Sequence, residues 1–165
     1  MTTTEAYPRR RRWTSAFPVL LLVSVCLAFL VAEPMRVTSQ SMSPSYERGD
    51  EVLIVKIGLR ARALEHGDVV AFRAPGSGSL MIKRVAGVGG DQVGIEDGVL
   101  TLNGDPVSEA YLTQESVDGT YFGPVRVPPG RVFVLGDARA GSIDSRAFGA
   151  ISRQAIVGRV LWKLW

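Results

Sequence analysis

The chain has 165 residues and a formal net charge of +3, a length that holds one compact domain of roughly 130 residues beside a short extra segment, not two domains. Arg9, Arg10, Arg11 and Arg12 against Glu5 supply the whole excess charge, so the rest is balanced and offers no basic face for nucleic acid. Cys26 and His66 each stand alone, which excludes an intramolecular disulfide and any metal site built on several cysteines or histidines; neither a metal nor an organic cofactor is expected.

Residues 1–12 read as a basic cytoplasmic tail. From Trp13 to Ala32 the chain carries no charge, and about 20 apolar residues match a hydrocarbon core of roughly 30 Å. Residues 13–32 are therefore expected to form one transmembrane helix in the lipid bilayer, with Trp13 as an interfacial anchor. The four arginines place the N-terminus in the cytoplasm and residues 33–165 outside it. A cleavable leader fits less well, because the apolar run exceeds the usual core and Val31-Ala32-Glu33-Pro34 is a poor small-x-small site. Cys26 lies in mid-span, which argues against a lipoprotein anchor.

Past the anchor, short β-prone runs are broken by Gly, Asp, Asn and Pro with no sustained helical period, which predicts an all-β domain. Strands are expected at Glu51 to Ile57, Asp68 to Arg73, Leu80 to Val88, Val99 to Leu102, Arg131 to Leu135 and Ile156 to Trp162. Asn103-Gly104 marks a hairpin turn. Pro75 to Ser79 reads as a loop, Val127-Pro128-Pro129-Gly130 as a rigid turn, and His66 before Gly67-Asp68 as a surface turn. The terminal Leu161-Trp162-Lys163-Leu164-Trp165 suits a last core strand better than a lipid contact, although Trp favours the membrane interface.

Three segments carry chemistry. In Ser39-Gln40-Ser41-Met42-Ser43-Pro44-Ser45, Pro44 fixes its own φ and holds Ser43 extended, a stiff turn able to present a hydroxyl. In the strand around Lys83, alternation puts Met81, Lys83 and Val85 on one face, so Lys83 has apolar neighbours that lower its pKa. Arg84 points to the other face, away from the site, and cannot act as a base. The polar segment Gly136 to Arg146 follows a strand; Asp144 and Arg146 are spaced for a bidentate pair, and Ser142 is available to hydrogen-bond an amine. A neutral lysine can activate a serine as a histidine does.

Together these segments resemble bacterial type I signal peptidase, a membrane-bound serine peptidase. The likeness runs from about Ser39 to the C-terminus: Ser39 to Ser45 is similar to its nucleophile motif, Gly67-Asp68-Val69-Val70-Ala71-Phe72 to its second, Lys83-Arg84-Val85-Ala86-Gly87 to its lysine motif, and Gly136-Asp137 to Arg146 to its last. The resemblance implies antiparallel sheets folded into a barrel-like catalytic domain. It implies Ser41 as nucleophile, Lys83 as general base, an oxyanion hole from the Ser41 N–H and the Ser39 hydroxyl, Ser142 orienting Lys83, and Asp144 and Arg146 as support. The lysine is similar to the bacterial and organellar branch.

The implied function is removal of N-terminal signal peptides from exported preproteins, cut after small residues, close to the secretion machinery. Ala138, Ala140 and Gly141 stand where the family has Asn, Asp and Asn, Gln40 where Gly is frequent, and Ser45 where Thr is frequent. A dedicated peptidase with a narrow substrate set, and an inactive membrane-anchored peptide-binding module, are the alternatives; a self-cleaving repressor is disfavoured by the span and the neutral outer domain.

Overall fold

The computed structural model describes residues 18–22, 31–56, 62–115, 117, 119 and 121–164. Among them, eleven strands form two antiparallel sheets. The first holds seven: β1 (Ala32–Arg36), β2 (Glu51–Val55), β3 (Val69–Arg73), β4 (Leu80–Val88), β9 (Arg131–Leu135), β10 (Ile151–Ser152) and β11 (Ile156–Lys163). Its order is β1-β2-β11-β3-β4-β9-β10, an open half-barrel with β1 and β10 as edges. The second has the order β7-β6-β5-β8, from β5 (Gln92–Glu96), β6 (Val99–Leu102), β7 (Asp105–Pro106) and β8 (Phe122–Arg126). A one-turn helix, α1 (Ser145–Phe148), links β9 to β10.

The large sheet is covered on both faces, and β3 shows why the sequence permits it. Its Val69-Val70-Ala71-Phe72 run is buried throughout. Val69 and Ala71 join Met42, Val52, Ile54, Ile82 and Val160 in one cluster, while Val70 and Phe72 join Val85, Val132, Val134 and Ile156 in another. Each fully buried aliphatic or aromatic side chain contributes about 1.5–3 kcal/mol, so this central region holds β4 firmly. Between Val85 and Gly87 the pairing of β4 with β9 shifts register. Ala86 then packs with Phe133 and Leu135 against Val93, Ile95 and Leu100 of the second sheet.

All six expected strands are present within a few residues of their predicted ends, and Asn103 and Gly104 turn at φ 57° and 93° between β6 and β7. Strands β1, β5, β7, β8 and β10 were not predicted. Gly94 disguises β5, where a Cβ would lie 2.7 Å from Thr101 Oγ1, so the cross-strand approach needs a residue that weakens the strand signal. Gly123 and Pro124 lie within β8 and weaken its strand signal in the same way. Strand β11 is core in its first half, whereas Leu161 and Trp162 are exposed.

Most of the expected transmembrane segment lies outside the described residues. Residues 18–22 are helical and exposed. Ala32, assigned to the end of the span, instead opens β1 and pairs with Val55. Among the described residues, no helix is long and apolar enough to cross a membrane.

Candidate active site

Ser41 stands on the connection from β1 to β2, in a turn closed by Ser43 N–H to Gln40 O at 3.0 Å and Tyr46 N–H to Met42 O at 2.9 Å. Its neighbour Met42 is completely buried in the first cluster, so one apolar side chain pins the loop while Ser41 remains partly open. Sequence reading did not single out Met42; its signal was a lone apolar residue in a polar run. Ser39 Oγ lies 3.1 Å from Ser41 Oγ and is exposed.

Lys83 lies in the middle of β4, opposite Val70 of β3, and is 1% exposed. Its ammonium donates to Ser41 Oγ. Burial lowers its pKa from 10.5 to about 8, against an upward pull from Asp144 and then Asp137. At pH 7 about one-tenth of such a lysine is neutral, against fewer than roughly one in a thousand for an ordinary one.

The segment after β9 closes over Ser41. Ala138 N–H donates to Ser41 O at 3.2 Å, and a Cβ on Gly136 would lie 2.5 Å from Ser41 O and 2.1 Å from Ser142 Oγ. Only glycine permits this approach. Asp144, fully buried, accepts from Gly136 N–H at 3.0 Å and caps α1 through Arg146 N–H. Arg146 donates to both Asp144 oxygens at 2.9 Å and to Arg139 O at 2.6 Å. Burial pushes the Asp144 carboxyl up, but Arg146 and the Gly136 N–H outweigh it and hold the group below its ordinary range.

Ser142 is brought to this place, but it makes no hydrogen bond to Lys83. Its Oγ is buried and forms no hydrogen bond of good geometry; its influence falls on Asp144, whose carboxyl it helps to hold down.

Arg84 requires a correction. It does occupy the face opposite Lys83, yet it is not remote from the site. Its Nε and Nη2 fork onto Asp137 at 2.9 and 2.6 Å, Nη1 donates to Gly67 O at 3.0 Å, and Nη2 reaches Ser45 Oγ at 3.1 Å. One guanidinium thus joins the loop of Ser41 to the segment of Ser142. Asp137, 0% exposed, was visible in the sequence only as part of a motif. Arg139, 3% exposed, pairs with Glu109 at 2.5 Å and donates to Gly136 O. No local spacing announces that pair, because 30 residues separate its members.

His66 sits in the expected turn but is half-buried, with Nε2 enclosed and unpartnered; burial lowers its pKa. Among the described residues no group of acidic, histidine or cysteine side chains is placed to hold a metal ion.

The family described as "Signal peptidase, peptidase S26" matches residues 10–165. The chain is 34% identical over 156 residues to the probable signal peptidase I-1 of Synechocystis, covering 89% of this chain and 78% of that protein. It is 33% identical over 175 residues to the signal peptidase I of Bacillus caldolyticus, covering 99% and 94%. The crystal structure of a signal peptidase I from Enterococcus faecalis superposes with a TM-score of 0.54 at 29% identity, over 61% of this chain and 98% of the other.

Proposed function

Because the chain belongs to the signal peptidase family, peptidase S26, a group of serine peptidases that remove signal peptides from preproteins, we propose that Ser41 and Lys83 are its catalytic dyad. The observation that carries this reading is the contact of a buried lysine with the Ser41 hydroxyl. Neutral Lys83 takes the Ser41 proton as Oγ attacks the scissile carbonyl. The oxyanion forms against the Ser41 N–H and the Ser39 hydroxyl, donors useful chiefly in the transition state. Lys83 then gives its proton to the leaving amine, the C–N bond breaks, and an acyl-enzyme remains. Water deprotonated by the same lysine attacks the ester, releasing the acid and returning the proton to Ser41 Oγ.

Ser142, Asp144 and Arg146 act as support in this reading. Arg146 and Asp144 stiffen the closing segment, and Ser142 biases Lys83 through its surroundings. The substitutions Ala138, Ala140 and Gly141 leave the Ala138 N–H contact with Ser41 in place, which favours an active enzyme over an inactive peptide-binding module. Cleavage after small residues is part of the same proposal, as is action near the secretion machinery on the outer side of the cell membrane.

The apolar stretch 13–31 serves as the anchor, ending where β1 begins. Protease added outside spheroplasts is expected to degrade the domain from residue 33 onward; access to the first dozen residues alone would reverse the orientation. Chemistry is tested by cleavage of one preprotein by wild type, Ser41→Ala, Lys83→Arg and His66→Ala, with acylation by a serine-reactive penem as second readout. Loss in the first two variants and retention in His66→Ala is the expected pattern. Cleavage by Lys83→Arg would sink the dyad.

A further inference from the structure

Tyr111 lies in the connection between β7 and β8, in a part of the chain that contributes nothing to the dyad. Yet the Arg84 guanidinium carbon sits 3.7 Å from the centre of its ring. Every polar partner of Arg84 lies along its fork: Asp137, Gly67 O and Ser45 Oγ. The ring covers one face of the guanidinium, which those partners leave open, at a separation suited to cation–π attraction.

The ring is itself held. Tyr111 donates its hydroxyl to Glu109 Oε1 at 2.5 Å, and the same oxygen accepts from Arg139 Nη2. Arg139 Nε donates in turn to Gly136 O at 3.1 Å. One short stretch from the second sheet's side therefore touches both arginines that shape the segment over Ser41. We propose that Tyr111, braced by Glu109, is a positioning residue that locks Arg84 onto Asp137 and so sets the charge balance around Lys83. This rests on the Ser41–Lys83 reading given above.

The charged groups bearing on Lys83 are Asp144 and Asp137. Those bearing on Arg84 are Asp137, Tyr111 and Tyr46, and His66 faces Glu109, Arg84, Arg139 and Asp91. While Arg84 is locked, its positive charge compensates Asp137. Released by loss of the ring, it leaves that carboxylate less compensated beside Lys83. An uncompensated negative charge favours the ammonium, so the acid limb of kcat/KM moves to higher pH. Mere loss of folded protein lowers the amplitude of that limb without moving its midpoint.

The experiment compares pH profiles of preprotein cleavage by the detergent-solubilised full chain as wild type, Tyr111→Phe, Tyr111→Leu and Tyr111→Gln, with thermal melts giving the folded fraction. Tyr111→Phe keeps the ring but loses the hydroxyl's hold on Glu109, and its midpoint is expected to lie between those of wild type and the ring-less variants. The Leu and Gln variants are expected to raise it by about half a unit, a loss of roughly threefold at a fixed pH on the limb. The shift is expected to survive in a His66→Gln background, which removes the imidazole's own titration. An unmoved midpoint in whichever ring-less variant folds, a shift abolished by His66→Gln, or failure of both ring-less variants to fold overturns the proposal. Ser41→Ala and Lys83→Arg run in parallel; wild-type cleavage by either would fail the dyad reading itself, a result distinguishable from failure of the Tyr111 arm.

Discussion

Lys83 donates to Ser41 Oγ across 42 residues of sequence, and of the two it is the lysine that is shut away from solvent. This is the arrangement that makes an amine useful as a base: burial takes its pKa down to about 8, while the hydroxyl keeps access to a substrate. The kcat/KM of the wild type is therefore expected to rise with pH through about 8 and then level off. A profile flat from pH 6 to 9 would mean that no such base governs the reaction.

The same burial has a stability consequence of definite sign. The folded-state pKa lies below the unfolded one, so the unfolded chain binds the extra proton. The penalty is then fully present below about pH 8 and fades as pH rises toward 10.5. It is on the order of 3 kcal/mol. Lys83→Met is expected to be inactive but to melt higher than wild type at pH 7, with the gap narrowing at pH 10. Equal melting temperatures at pH 7 would show that the lysine is not held at a cost.

The β-rich class, six of the eleven described strands and the segments around Ser41, Lys83 and Ser142 could be read from the chain because each depends on local pattern: alternation, turn residues, or a compact motif. What escaped depends on partners far apart. Nothing near Arg84 says that Asp137, 53 residues on, will fork onto it, and alternation alone turned it away from the site. Glu109 carried no local signal at all, since its meaning comes from Arg139. Strands β5 and β8 were hidden by Gly94 and Gly123, which close inter-strand packing requires, and by Pro124.

The Arg84–Asp137 pair is largely enclosed, with side chains 13% and 1% exposed, so breaking one half leaves a buried charge unpaired. Arg84→Ala is expected to destabilise by about 3–5 kcal/mol. The double variant Arg84→Met/Asp137→Leu is expected to recover much of that stability without recovering cleavage, because an apolar pair can fill the space but cannot reach Ser45 and Gly67. Denaturant melts and single-turnover cleavage measure the two effects separately. Recovery of activity in the double variant would reduce the pair to a packing element.

Met42 offers a contrast, since its contribution is purely apolar. Truncation to Ala removes a completely buried side chain and is expected to cost about 2–5 kcal/mol. It also frees the loop that carries Ser41, so the acylation rate should fall more than the folded fraction does. Met42→Leu keeps the volume and is expected to cost less than about 1.5 kcal/mol. If Met42→Ala acylated as fast as wild type per folded molecule, Met42 would not position the nucleophile.

Ser142 tests the support around the lysine most finely. Its Oγ is buried without a hydrogen bond of good geometry, so Ser142→Ala gives up no strong interaction and should fold nearly as well as wild type. Its hydroxyl nevertheless lies against Gly136, whose N–H binds Asp144, the carboxylate that pulls hardest on Lys83. A small rearrangement there changes the setting of Lys83, the base in the proposed mechanism. The expected result is a fall in kcat of roughly tenfold to a thousandfold, about 1.4–4 kcal/mol in the barrier, with KM and melting temperature close to wild type. Full wild-type kcat in Ser142→Ala would remove the residue from the site, and a parallel loss of stability would make it a packing residue.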